Sequence, residues 1–393
     1  MKQFIQYGLF LCIAGGLFPF VVNAQITVNE SKVQANIWMQ EQEYLKALHF
    51  YENCFESDVD NFHCMEQAGI AAYRLGILHK ARNYFHRIEN EELYFKSAYI
   101  HLSNIYEIEE NIPKAINYNR MLKDSFPENP LYCRKLGQLY MKARLPVEAM
   151  NYYQEAIRIN SMDIVSLGAL ADLWTQSGQF RWADSLIRIG LSIDEENIAF
   201  HQLNAKNYYK QRMYDSTVLV LDRIIGKVDF TNYYNKLMGF SLLQIDSVDR
   251  SIIFLERSLV NEGDPEYAHY YLGLAYEKKD DMVAAIHHLN KAVEAGTSNN
   301  LALYFKNLGR IHSDISHWKE AIQAYEWSYR YIAEPILLYF MAEAASKYYK
   351  DNNIAIRYYE RYLRSSDNRE DIKIYSREKI RFLKEMQHLT VRK

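Results

Sequence analysis

The chain has 393 residues, of which 46 are basic and 49 acidic, giving a formal net charge of −3. This balance does not favour nucleic-acid binding, so we expect no nucleic-acid partner. A chain of this length normally forms two or three domains, yet no Gly/Ser-rich or Pro-rich linker follows Gln25. One continuous array of small repeated units satisfies both observations, because each unit contacts only its neighbours.

Residues 1–24 are typical of a bacterial secretory signal peptide. Lys2 supplies the positive start, residues 4–22 carry no charge, and Val-Asn-Ala at 22–24 is a small-residue cleavage pattern. Cleavage would leave no membrane span and place the protein in the periplasm or at the cell surface. The alternative is a retained anchor, because the uncharged run is nearly long enough to span a bilayer. Gly15, Gly16 and Pro19 inside the run weaken that alternative.

Small residues recur at a fixed spacing through the rest of the chain. Eight of the nine intervals between them are 34 residues long and one is 36. The positions are Ala47, Ala81, Ala115, Ala149, Ala183, Thr217, Ser251, Ala285, Ala321 and Ala355. A companion series holds Ala35, Gly69, Ser103, Gly137, Ala171, Ala205, Gly239, Gly273 and Gly309, with Glu343 in the last unit. The spacing around each mark predicts two amphipathic helices per unit, and the unit around Thr217 is the least regular.

This pattern resembles the tetratricopeptide repeat (TPR) family over nearly all of the mature chain. The unit at 129–160 shows it most clearly, with Gly137 in the first helix and Ala149 and Tyr153 in the second. The resemblance implies an all-α fold, a right-handed superhelix of about ten helical hairpins spanning 25–369. An irregular helical bundle is the alternative.

Residues 370–393 follow the array and are predicted to form a C-terminal capping helix and tail. Apolar residues such as Ile372, Ile380 and Leu383 alternate there with charges, which is the pattern of an amphipathic helix. A helix of this kind can cover the open face of the last repeat, and a repeat array needs such an end to stay soluble. The alternative is a free helix that binds a partner.

Three cysteines remain in the mature region. Cys54 occupies a small site on one predicted helix and Cys64 begins the next, so the two could lie close across a packing seam. A disulfide is possible after export, and two small apolar side chains that only fill space are the alternative. Cys133 has no evident partner and is expected to pack in the core.

No catalytic constellation emerges from the sequence. A phosphate-binding glycine loop, a nucleophile elbow and a zincin helix are all missing. His63 and Glu66 could form half of a metal site, but no second half is visible, and His287 and His288 are adjacent and point in different directions on a helix. We therefore predict no enzyme activity, no metal and no cofactor.

The resemblance implies that first helices line a concave groove that binds peptides. Carried onto this chain, the partner-binding residues are Lys206, Tyr209, Lys210, Tyr233, Lys236, Phe240, Tyr267 and Tyr270. Tyrosine interleaved with lysine is typical of binding hot spots. The alternative is an ordinary exposed helix face. A carboxylate clamp known in some TPR domains is matched only by Lys32 and Asn36, so we do not predict chaperone-tail binding.

Two classes of function stay open. The first is an exported scaffold that binds another protein or a peptide segment through its groove, in a bacterial envelope assembly or a secretion apparatus. The second is a glycan or small-solute binder that uses the aromatic groove. The protein partner is favoured because a long continuous array implies no compact pocket.

Overall fold

The computed structural model describes residues 33–58, 60–260, 265–296 and 300–391. Within these ranges the chain is all-α, and its one β-type pairing is the isolated bridge between Ile225 and Val228. None of the helices there combines the length and the apolar composition that crossing a bilayer requires. The predicted signal peptide lies outside the described residues.

The helices follow the predicted repeat. In chain order they are α1 (33–40), α2 (Tyr44–Ser57), α3 (Phe62–Arg74), α4 (Leu78–Ile88), α5 (Phe95–Ile108), α6 (Ile112–Ser125), α7 (Pro130–Lys142), α8 (Pro146–Ile159), α9 (Ile164–Gln176), α10 (Phe180–Ile193), α11 (Ile198–Lys210), α12 (Tyr214–Ile224), α13 (Asn232–Gln244), α14 (Val248–Arg257), α15 (Pro265–Lys278), α16 (Met282–Ala295), α17 (Leu301–Asp314), α18 (Trp318–Tyr331), α19 (Pro335–Tyr348), α20 (Asn352–Leu363) and α21 (Glu370–Val391). Odd-numbered helices up to α19 are the first helices of hairpins, and even-numbered helices are the second helices.

The chain divides into two compact units, one ending at Leu173 and the other beginning at Trp174. In the first unit α3 pairs with α4, α5 with α6, and α7 with α8. In the second unit the pairs run from α11 with α12 to α19 with α20, and α21 packs against α20. The all-α class and the repeated helical hairpin are therefore confirmed.

The small residues of the repeat mark the closest approach of the two helices in a hairpin. A Cβ atom on Gly137 would lie 2.6 Å from a ring carbon of Tyr153, and one on Gly309 would lie 2.5 Å from a ring carbon of Tyr325. Glycine is required there because real Cβ atoms do not approach ring carbons so closely. The last hairpin departs from this rule, since Glu343 occupies the site and accepts a hydrogen bond from the Tyr359 hydroxyl.

The turn inside nine of the ten hairpins that the structure describes holds one residue in the left-handed region of backbone conformation. The residues are Gln42, Gly76, Glu110, Arg144, Gly178, Arg212, Asp246, Asp280 and Ser316, which follow the same spacing as the small residues. Only two of them are glycine, although the left-handed region favours glycine. The closure of the helical hairpin therefore imposes this conformation on whichever residue occupies the position.

Two features deviate from the regular repeat. The helix α12 ends early at Ile224, and the bridge between Ile225 and Val228 closes the turn that follows it. This is the sixth hairpin, which the sequence already marks as the least regular. The last helix, α21, buries Leu383 against the final hairpin, and the Asn352 side-chain amide donates to the Leu383 carbonyl oxygen at 3.2 Å. This packing is that of a capping helix.

The cysteines take both of the roles that the sequence left open. Cys54 and Cys64 form a disulfide between α2 and α3, with their Cα atoms 6.1 Å apart. Cys133 is a buried free thiol on α7, and burial raises its pKa to about 11. It is therefore protonated and unreactive at neutral pH.

Candidate binding surface

All eight predicted partner-binding residues lie on three neighbouring first helices of the second unit. α11 contacts α13, and α13 contacts α15, so the three helices present one continuous surface. α11 carries Lys206, Tyr209 and Lys210, α13 carries Tyr233, Lys236 and Phe240, and α15 carries Tyr267 and Tyr270. The 34-residue repeat produces this arrangement, because equivalent positions of successive first helices fall side by side.

A chain of aromatic contacts crosses these helices. The ring of Tyr209 lies 5.6 Å from that of Phe240, and Phe240 lies 4.6 Å from Tyr271. Tyr271 contacts Tyr270 at 5.3 Å, and Tyr270 reaches Tyr304 on α17 at 4.7 Å. These five residues, which we call the aromatic run, link four first helices. All of them except Tyr304 are partly exposed.

A second contact brings two more of the predicted residues together. The Lys236 ammonium lies 5.5 Å from the centre of the Tyr267 ring, which is within the range of a cation–π interaction. The Asn300 side-chain amide donates to the Tyr267 hydroxyl at 3.0 Å and fixes its direction. Lys206 is half-buried and Lys210 is exposed at the end of α11.

The tyrosines of the aromatic run remain neutral at physiological pH. Burial raises the pKa of Tyr271 to about 12, with the neighbouring tyrosines Tyr270, Tyr267 and Tyr214 adding to the shift. Burial also raises the pKa values of Tyr209 and Tyr270. The run is therefore an uncharged aromatic surface with hydroxyl groups that can donate or accept hydrogen bonds.

The sequence missed two residues of this surface. Tyr271 is at the centre of the aromatic run, and Tyr214 at the start of α12 packs 5.5 Å from Phe240. Neither occupies a first-helix groove position of the repeat. Tyr233, which is 43% exposed, lies against its neighbour Tyr234, with their rings 5.1 Å apart. The only sequence signal for the Tyr271 ring was its place directly after Tyr270.

The resemblance places the groove positions six and three residues before, and one, four and five residues after, each small residue of the companion series. In the second unit these positions are predominantly basic. Seven basic residues occupy them, namely Lys206, Lys210, Lys236, Lys278, Lys306, Arg310 and Lys347, against the acidic residues Glu277 and Asp314. In the described part of the first unit the same positions hold three of each sign, Arg74, Arg134 and Lys142 against Glu66, Glu107 and Asp172. An acidic partner is therefore attracted to the second unit more strongly than to the first.

The second unit also contains a cleft of about 660 Å³ beside the turn that follows α12. Gly226, Phe230, Asn235, Phe254 and Arg257 are among its lining residues, and none of the eight predicted partner-binding residues belongs to it. This cleft therefore lies apart from the predicted binding residues.

His63 and Glu66 lie on α3, and His287 and His288 lie on α16. Among the residues that the structure describes, no three His, Cys, Asp or Glu side chains are arranged to hold a metal ion. The rings of His287 and His288 stand at 80° to each other, in agreement with their different directions on the helix. His288 instead pairs with His269, and their Nδ1 atoms lie 3.0 Å apart.

Solved structures that are similar to this chain share little sequence with it. A tetratricopeptide repeat protein from Parabacteroides merdae ATCC 43184 is 14% identical with a TM-score of 0.47, covering 60% of this chain and 94% of that one. YrrB, a TPR protein with an unusual peptide-binding site, is 16% identical with a TM-score of 0.42, covering 48% and 98%. The human IFIT1 dimer with m7Gppp-AAAA is 14% identical with a TM-score of 0.42, covering 85% and 81%. No protein-family model matches the chain, and no curated protein matches its sequence.

Proposed function

We propose that this protein is an exported repeat scaffold that binds another protein through the first-helix surface of α11, α13 and α15. The bound segment is extended and carries acidic and apolar side chains. The apolar side chains lie on the aromatic run, and the acidic ones face Lys206, Lys210 and Lys236. Such a scaffold would serve in an envelope assembly or a secretion apparatus of a bacterium.

The observation that carries this proposal is the aromatic run itself. Partly exposed aromatic rings on three successive first helices, α11, α13 and α15, offer rigid contact area along the length of a chain, which is what an extended segment needs. The ring planes are inclined to each other, at 74° for Tyr209 and Phe240 and 53° for Phe240 and Tyr271. Sugar rings stack on open, flat aromatic faces, so edge-on packing of this kind favours a peptide over a glycan.

Export is supported by two independent features. One is the signal-peptide pattern at residues 1–24. The other is the disulfide between Cys54 and Cys64, because disulfides persist in oxidising compartments such as the periplasm and are rare in the bacterial cytosol. The location itself is tested by cell fractionation, where full-length, uncleaved protein in the cytoplasm of intact cells would overturn this part of the proposal.

Capture of partners from envelope extracts tests the binding surface. The triple variant Tyr233→Ala, Phe240→Ala, Tyr267→Ala should lose the captured protein, identified by mass spectrometry, while its melting temperature changes little. The matched control is Trp182→Ala, which removes an exposed aromatic ring from a second helix outside the surface.

A charge variant separates the rate of association from the rate of dissociation. Lys206→Glu with Lys210→Glu should slow association with the purified partner and weaken its salt dependence, because charges at a binding surface act mainly on encounter. Capture that survives the triple variant would show that the partner binds elsewhere, and capture lost only because the protein unfolds would also reject the assignment.

A further inference from the structure

An exposed aromatic cluster lies on the ninth hairpin, outside the proposed binding surface. The Phe305 ring on α17 lies between Trp327 and Tyr331 of α18, with centroids 6.0 Å from each. The ring planes differ by only 22° and 12°. Trp327 is 46% exposed and Tyr331 is 52% exposed. We call these three residues the α18 patch.

Phe305 packs against the core of the hairpin, whereas Trp327 and Tyr331 are not part of that core. α18 buries Ala321, Tyr325 and Ser328 on its inner side, and these residues make the regular contacts of the repeat. Trp327 and Tyr331 stand one helical turn apart on a different side, and Ile332, which follows them, is 49% exposed. A contiguous exposed patch of large apolar residues on a folded protein marks an interaction site.

The charges at the patch leave one positive group available. Lys306 and Glu334 neutralise each other in an ion pair of 2.6 Å. The Arg330 guanidinium lies 4.6 Å from the Trp327 ring centre, and in the described part of the chain Arg330 forms no ion pair. A guanidinium in contact with an aromatic ring can still donate two hydrogen bonds to a carboxylate.

We infer that the α18 patch is a second docking surface, for a protein segment that carries a large apolar side chain next to a carboxylate. The apolar side chain lies on Trp327 and Tyr331, and the carboxylate pairs with Arg330. Tryptophan, tyrosine and arginine together are the residues most enriched at the energetic centres of protein interfaces. The positive charge of Arg330 attracts acidic segments and repels basic ones. This surface shares no residue with the proposed one on α11, α13 and α15.

Two labelled peptides test the inference by fluorescence anisotropy. One contains Asp-Leu-Phe-Asp between glycine and serine spacers, and the other contains Lys-Leu-Phe-Lys in the same spacers. The mature protein is used with the three alanine substitutions at Tyr233, Phe240 and Tyr267, so that the first-helix surface does not contribute. We expect the acidic peptide to bind about tenfold more tightly than the basic one.

Site-directed changes in that background identify the residues. Arg330→Glu should reverse the preference between the two peptides, and Trp327→Ala with Tyr331→Ala should weaken binding of both by about tenfold or more. Trp182→Ala is the matched control, since this tryptophan is 61% exposed on α10 and should leave binding unchanged.

The outcomes are decisive in either direction. The inference would be overturned if Arg330→Glu left the preference between the two peptides unchanged. It would also be overturned if the double alanine variant bound both peptides as tightly as the protein without that change. If the double variant melts early, the charge reversal at Arg330 decides alone, because an exposed arginine contributes little to folding. If the peptides bind as expected here but the triple variant still captures its partner, the first-helix surface is rejected and the α18 patch stands.

Discussion

The contact between Gly137 and Tyr153 gives the sharpest prediction about stability. A Cβ atom on Gly137 would lie 2.6, 2.8 and 2.9 Å from three carbons of the Tyr153 ring. Ordinary carbon contacts are about 3.5–4.0 Å. The ring cannot move into solvent, because Tyr153 is 3% exposed and packed inside the hairpin. Gly137→Ala therefore forces α7 and α8 apart.

The magnitude follows from two opposing effects. Overpacking a closely packed core costs about 1–3 kcal/mol. Replacing glycine by alanine inside a helix returns about 1 kcal/mol. We expect Gly137→Ala to lower the free energy of unfolding by about 1 kcal/mol, which a urea titration reads as a lower midpoint at unchanged slope.

A double-mutant cycle tests the cause. Ala205 and Leu221 occupy the equivalent positions of the sixth hairpin, and both are fully buried there. Tyr153→Leu should therefore relieve the clash, so that Gly137→Ala costs less in the Tyr153→Leu background than in the wild type. Additive effects within about 0.5 kcal/mol would refute this reasoning, as would a stabilising Gly137→Ala.

Three other predictions concern separate parts of the chain. Cys54→Ser with Cys64→Ser should cost about 2–3 kcal/mol, because the bond closes a loop of 10 residues. Chemical denaturation of the reduced wild type, which should match the variant, is the check. Burial lowers the pKa of His101 to about 4, with a smaller contribution from a neighbouring arginine, so the unfolded chain takes up the proton first as the pH falls. The contribution of neutral His101 to the free energy of unfolding is therefore complete above pH ~6.5 and is lost toward pH ~4. His101→Phe can keep the stacking on Phe85 and has no proton to take up. Urea titrations at the two pH values should therefore show a smaller loss of stability for this variant than for the wild type. Arg144→Gly should raise the melting temperature, because Arg144 has a φ of 59°.

The hairpins were predictable because their determinants are local. A small residue at each helix contact, repeated every 34 positions, specifies where two helices meet, and Gly137 and Gly309 lie at such contacts. The disulfide could not be decided in the same way. Spacing along the chain does not fix the distance between two Cα atoms, and 6.1 Å between Cys54 and Cys64 depends on how α2 and α3 cross.

A residue of the binding surface was predictable only where its position in the 34-residue repeat determines the direction of its side chain. Tyr209 and Phe240 occupy groove positions and lie together, as that register requires. Tyr271 falls between groove positions, and its ring packs 4.6 Å from that of Phe240 on the preceding hairpin. Tyr214 belongs to a second helix, and its contact with Phe240 depends on how α12 begins after the turn. A sequence pattern defined within one hairpin therefore does not predict such contacts between hairpins.

The basic residues of the second unit do not all serve as equivalent probes of binding. Arg310 donates two hydrogen bonds to Glu277 of the preceding hairpin, and Lys278 pairs with Asp246 at 2.7 Å. Changing either residue would remove a contact with the preceding hairpin as well as a positive charge, so a loss of binding would have two explanations. Lys210 is exposed and forms no ion pair in the described part of the chain. A loss of binding on changing Lys210 would therefore report the charge of the surface itself and not the stability of the array.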